Sequence, residues 1–224
     1  MSGHLAIGDR DALLVVDVQN DFCPGGALAV PRGNEVVPLI NRLAECFAHV
    51  VLTQDWHPAG HQSFASSHPG RKPYETIDVA YGPADPMAGP LRAGNAGRRI
   101  VPGVANSPCG TCAAQGLSPR DRFYSAFYEN DRRTRTGLAG YLRQRGLRRI
   151  FVAGLAFDFC VRYSAEDAHR EGLDVVVIED ACRSIDVDGS MAATRAGPGG
   201  AGRPLHIARR RRPDRLQLVT SPRR

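Results

Sequence analysis

The sequence predicts an α/β domain built on a parallel, doubly wound sheet. Three observations carry this. Short apolar runs of strand length recur along the chain, amphipathic stretches of helical period lie between them, and polar residues with reactive side chains fall just after the apolar runs. Polar groups at the C-terminal ends of strands are where open α/β sheets place their ligand sites.

Taken in order, Ala12–Val16 is a wholly apolar run and suits a strand covered on both faces. Asp17 follows it, then Val18-Gln19-Asn20-Asp21-Phe22 and the loop Cys23-Pro24-Gly25-Gly26. Asn34 to Phe47 predicts a helix: Val36, Val37, Leu39, Ile40, Leu43 and Phe47 make one apolar stripe, with Asn34 as N-cap and Pro38 early enough to be tolerated. His49–Thr53 predicts the second strand. Directly after it, Asp55, His57 and His61 put a carboxylate and two imidazoles within seven residues. A short loop can fold that donor set onto one centre, and it suits zinc, iron or manganese. Further on, Gly137–Arg145 predicts a helix ending at Gly146, and Arg149–Ala153 a strand. Val161, Ala165 and Ala168 line one face of the next helix, which Gly172 ends. Asp174–Ile178 is a further strand, and Gly189–Arg195 begins another helix.

The 224 residues suffice for one sizeable core, and residues 1–195 read as one domain. No apolar run is long enough to span a bilayer and no signal peptide is visible, so the expected setting is the cytoplasm, with no membrane partner. The six cysteines are therefore expected as free thiols. The net charge of +6 belongs to the C-terminal end: Arg195 onward carries nine arginines against one aspartate, which leaves −2 on residues 1–194. Such a basic run can bind nucleic acid. It carries no interleaved aromatics and no recognised module, so no nucleic-acid partner is expected. The Cys109-Gly110-Thr111-Cys112 pair has no second pair to complete a metal or redox motif.

The turn around Gly154-Leu155-Ala156-Phe157-Asp158-Phe159-Cys160-Val161 joins an apolar strand to an amphipathic helix. A cysteine there meets unpaired N–H groups and the positive end of the helix dipole. Both favour the thiolate, and the same N–H groups can hold an oxyanion.

Four ordered stretches resemble the nicotinamidase branch of the isochorismatase-like cysteine hydrolases: Asp17–Phe22 with its Cys-Pro-Gly-Gly loop, Gln54–His61, Tyr124-Ser125-Ala126-Phe127, and Gly154–Val161. With their flanks they cover residues 12–83 and 124–194. The resemblance implies a three-layer isochorismatase-like fold, with a parallel sheet of about six strands and helices on both faces. It implies hydrolysis of nicotinamide to nicotinate and ammonia. By position, Cys160 is then the nucleophile and Asp17 the proton carrier. The N–H groups of Ala156 and Cys160 form the oxyanion hole, helped by a cis peptide between Leu155 and Ala156. Asp55, His57 and His61 hold a divalent metal that grips the pyridine nitrogen, and Phe22 stacks on the ring. Phe157 departs from the family's usual threonine.

Residues 84–123 match nothing in that family. They hold no histidine and no lysine, where the family places a metal-binding histidine in Trp-Pro-x-His and a catalytic lysine in Lys-Gly. Lys72 is the chain's only lysine. Read one base later, the codons of Met87-Ala88 become a forced tryptophan, and those that follow permit Pro-Asp-His-Cys. Gln115-Gly116 then permits lysine, and Arg122-Phe123 permits Asp-Ser leading into Tyr124. The expectation is that 84–123 is aberrant and translated out of frame. Residues 196–224 are expected to be a disordered or out-of-frame tail, because Gly197–Gly202 packs a proline and four glycines together. The literal chain is accordingly expected to be an impaired nicotinamidase, the alternatives being a catalytically inactive family member or another isochorismatase-like amidase. Its partner is the small-molecule substrate, and its oligomeric state is left open.

Overall fold

The computed structural model describes residues 6–55, 77–79, 82–84, 99–104, 110–115, 125–129, 133–196, 206–212 and 215–220. Its strands are β1 (Asp11–Val16), β2 (His49–Asp55), β3 (Ile77–Val79), β4 (Gly82–Ala84), β5 (Gly110–Gln115), β6 (Arg149–Leu155), β7 (Asp174–Arg183), β8 (His206–Arg212) and β9 (Arg215–Thr220). Its helices are α1 (Val37–Ala44), α2 (Leu138–Gln144), α3 (Arg162–Arg170) and α4 (Ser190–Ala196). Seven strands form one sheet in the order β5-β2-β1-β6-β7-β8-β9, while β3 and β4 form a separate antiparallel pair. The first six strands of that sheet are parallel, and β9 joins antiparallel at its edge.

Alternation along β1 sorts the core into two halves. Leu13 and Val15 face one side, where Phe151 of β6 meets Ile40, Leu43 and Phe47 from the α1 region. Ala12, Leu14 and Val16 face the other, where Ile150 and Val152 meet Leu138 and Leu142 of α2 and Val161, Ala165 and Ala168 around α3. All six residues of β1 are buried, which is why its run carries no polar alternation. Phe47 packs edge-on against Phe151 with ring centroids 5.1 Å apart.

The helix expected from Asn34 begins later. Gly33–Val36 forms a tighter 3-10 turn, and α1 starts at Val37 with Val36 as its N-cap and no side-chain cap. Pro38 explains the shift: an α-helix running back through residue 34 would press the proline ring against that residue's carbonyl. The two glycine stops fall as the sequence predicts, with Gly146 and Gly172 at φ 72° and 83° after α2 and α3.

Two segments without a readable period still enter the sheet. β5 pairs with the outer edge of β2, β8 pairs with β7, and β9 pairs with β8. The cause is backbone chemistry. An open strand edge presents unpaired N–H and C=O groups that any extended segment can satisfy, whatever its side chains. Residues 99–101 cross the loop after β1 in the same way, through Asn20 N–H to Arg99 O and Val101 N–H to Val18 O. Among the described residues no helix is long and apolar enough to cross a membrane.

Candidate active site

Parallel pairing brings three strand ends level. Val16 of β1 is in register with Gly154 of β6, and Val15 with Leu52 of β2. The residues just beyond therefore converge: Asp17 after β1, Asp55 ending β2, and the Phe157–Val161 turn after β6. Gly154 makes the approach possible. A Cβ on it would lie 2.1 Å from the Val16 carbonyl oxygen, and its φ of 128° suits glycine alone.

Asp17 is 1 % exposed and sits in the left-handed region at φ 48°. Thr53 holds it twice, donating its hydroxyl to Asp17 Oδ1 at 2.6 Å and accepting the Asp17 N–H at 3.1 Å. Asp55 is also buried, and the buried Gln19 side chain clamps its main chain. Gln19 Oε1 accepts the Asp55 N–H at 2.7 Å, and its amide donates to Asp55 O at 3.1 Å. Neither clamp was singled out from the sequence, although Thr53 is the one hydroxyl in an otherwise apolar run and Gln19 stands two residues after Asp17.

Cys160 lies in a wide π-type turn in which Ala156 O accepts from both Phe159 N–H and Val161 N–H at 3.1 Å. The Leu155–Ala156 peptide is cis, the geometry that the resemblance implies. The Cys160 thiol lies beside the buried Asp17 carboxylate and the Ala156 backbone. Burial pushes this thiol well above its ordinary range, the negative charges of Asp17 and Asp55 push it further, and the Ala156 N–H pulls it back in part. Burial and the two neighbouring carboxylates thus favour the protonated thiol over the thiolate.

Thus the structure brings Asp17, Asp55, Ala156 and Cys160 together. Phe22 ends a 3-10 turn (Asn20–Phe22) after β1, half-buried against the core on the α1 side. His57 and His61 lie outside the described residues, as does Lys72. Phe157 is buried beside Val161 and Ala165 in the half of the core against which Cys160 also packs. The bulky ring is thus absorbed by packing. As for a metal, the fit can be judged on Asp55. Its carboxylate is buried and its backbone clamped, which suits a fixed anionic donor, and Asp with two His is a donor set for a borderline divalent ion.

A cysteine beside a buried carboxylate at a strand-to-helix turn of a parallel sheet is an arrangement that suits a cysteine hydrolase on an α/β frame. Residues 11–201 match the isochorismatase domain, and the chain belongs to that family, within its nicotinamidase branch. It is similar to a nicotinamidase of Acinetobacter baylyi, at 45% identity over 180 residues covering 80% of this chain and 84% of that one. A solved nicotinamidase/pyrazinamidase of Acinetobacter baumanii matches with a TM-score of 0.81 at 45% identity, covering 84% and 91% of the two chains. A pyrazinamidase of Pyrococcus horikoshii, solved in complex with zinc, matches with a TM-score of 0.67 at 28% identity, covering 90% and 99%.

Proposed function

We propose that this chain hydrolyses nicotinamide to nicotinate and ammonia through a thioester on Cys160. The observation that supports it best is the placement of Cys160 in the turn after β6, level with the buried Asp17 that follows β1. In this reading Cys160 gives its proton to Asp17 as the sulfur attacks the carboxamide carbon. The carbonyl oxygen takes the negative charge and is held by the N–H groups of Ala156 and Cys160. The C–N bond then breaks, and Asp17 returns the proton to the departing ammonia. Water attacks the thioester, Asp17 takes its proton, and nicotinate leaves as the thiol is restored. Phe22 supplies an apolar face for the pyridine ring. Asp55, His57 and His61 would hold a divalent metal, zinc, iron or manganese. When bound, that metal supplies a Lewis-acidic grip on the ring nitrogen.

A second reading concerns rate, and the absence of lysine from residues 84–123 favours it. In the family that lysine stands beside the cysteine and carboxylate. Here the charges acting most strongly on the thiol are both carboxylates. Turnover by the literal chain is therefore slower than turnover by a version with the reading frame of 84–123 restored. The test is nicotinate and ammonia release from nicotinamide by the two purified proteins. Equal rates overturn the impairment, no release from either overturns the activity, and the gene's nucleotide sequence across residues 83–123 decides the frame.

A further inference from the structure

We propose that Asp158 is a positioning residue for Cys160, acting through three hydrogen bonds it accepts from the 185–190 loop. Asp158 is 2 % exposed and stands two residues ahead of Cys160 in the Phe157–Val161 turn. Its Oδ1 accepts from Ile185 N–H at 3.2 Å, and its Oδ2 accepts from Asp186 N–H at 2.7 Å and from the Ser190 hydroxyl at 2.6 Å. A carboxylate this deeply buried is stable because donors occupy both of its oxygens.

The loop that supplies those donors is itself unusual. Asp186 and Asp188 both take left-handed backbone angles, at φ 58° and 49°. Such residues persist where the surroundings over-determine them, and they gather around functional sites. Here the Asp158 carboxylate fixes the loop from one side. From the other, Asp186 Oδ1 accepts the Met191 N–H at 3.2 Å at the start of α4. The nucleophile turn is of the wide π type, whose hydrogen bonds space its residues less tightly than an α turn. At its start, Ala156 O accepts from Phe159 N–H and Val161 N–H. Asp158 adds an anchor on a different element, so that the turn is pinned to the β7–α4 connection while Cys160 faces Asp17. Asp158 touches no reacting atom; it acts through where it holds Cys160.

This inference rests on Cys160 being the nucleophile, so the test separates the two. Full-length protein is compared with Asp158→Ala, Asp158→Asn, Ser190→Ala and Cys160→Ala at a temperature where circular dichroism shows each folded. Two quantities are read: kcat and KM on nicotinamide, and the rate at which iodoacetamide labels Cys160, resolved by peptide mass spectrometry. The expected result is a roughly 10- to 100-fold loss in kcat for Asp158→Ala with KM little changed. Asp158→Asn and Ser190→Ala, which keep part of the anchor, fall between it and wild type. Cys160 labelling accelerates in the same order as the half-buried thiol leaves its place. Folded Asp158 variants that label and turn over like wild type overturn the proposal. So does a lowered Tm with labelling unchanged, which makes Asp158 a stability residue only. Wild-type turnover by Cys160→Ala strikes the nucleophile reading instead, and the labelling order still decides whether Asp158 anchors the turn.

Discussion

Thr53→Val replaces a hydroxyl by a methyl at a buried position directly under the site. Thr53 donates to Asp17 Oδ1 at 2.6 Å and accepts from the Asp17 N–H at 3.1 Å, so one substitution removes both bonds. A hydrogen bond to a charged group contributes about 1.5–3 kcal/mol, and a buried N–H left without an acceptor costs about 1–3 kcal/mol. Together these predict a loss of about 2.5–6 kcal/mol. With an m-value of about 2 kcal/mol/M in urea, the unfolding midpoint falls by about 1.2–3 M. Urea titration followed by far-UV circular dichroism measures this. Thr53→Ser keeps the hydroxyl and serves as the control, expected within about 1 kcal/mol of wild type. A Thr53→Val midpoint indistinguishable from that of Thr53→Ser would show that Asp17 is held by something other than this clamp.

Three further outcomes are expected. Gly154→Ala drives a Cβ into the Val16 backbone at 2.1 Å and forces an L-residue to φ 128°, costing about 3–5 kcal/mol by denaturant titration; a loss below about 1 kcal/mol contradicts the close approach. Glu171 receives the Tyr128 hydroxyl and pairs with Arg143 and Arg135, which together hold its carboxyl below the ordinary range against the opposing effect of burial. A depressed folded value means stability fully present above the unfolded range of about 4.3 and lost as pH falls through the folded value. The Tm gap between wild type and Glu171→Gln should therefore be widest near neutrality and close in acid; a gap constant with pH refutes it. Asp55→Asn should lower the bound divalent metal found by elemental analysis of purified protein, and unchanged content removes Asp55 from the ligand set.

The sheet and its helices were legible because their signals are local. Ala12–Val16 has the apolar continuity of a doubly covered strand, and Val161, Ala165 and Ala168 have helical spacing. What the sequence hid was set by pairing between distant strands. Thr53 reads as one more strand residue until parallel register places it under Asp17. Gln19 reads as loop until its side chain reaches the Asp55 backbone. Asp158 reads as part of the nucleophile motif, and its partners lie 27 to 32 residues further along. The late start of α1 was visible in Pro38 but demanded the ring-to-carbonyl clash to be worked out. β5 and β8 had no side-chain signal at all, because the edges of β2 and β7 recruit them through the backbone. The turn after β6, by contrast, was readable from Gly154 to Val161, since the strand, the break and the helix start lie in one contiguous stretch.

Hydrolysis is proposed to run on Cys160, with Asp17 as its proton acceptor. Nicotinate formation from nicotinamide, followed by chromatography for wild type and Cys160→Ala in both the literal and the frame-restored chains, tests it most directly. Turnover is expected in both parent proteins, slower in the literal chain, and none above the enzyme-free blank once Cys160 is replaced. Undiminished nicotinate formation by either Cys160→Ala protein would contradict it.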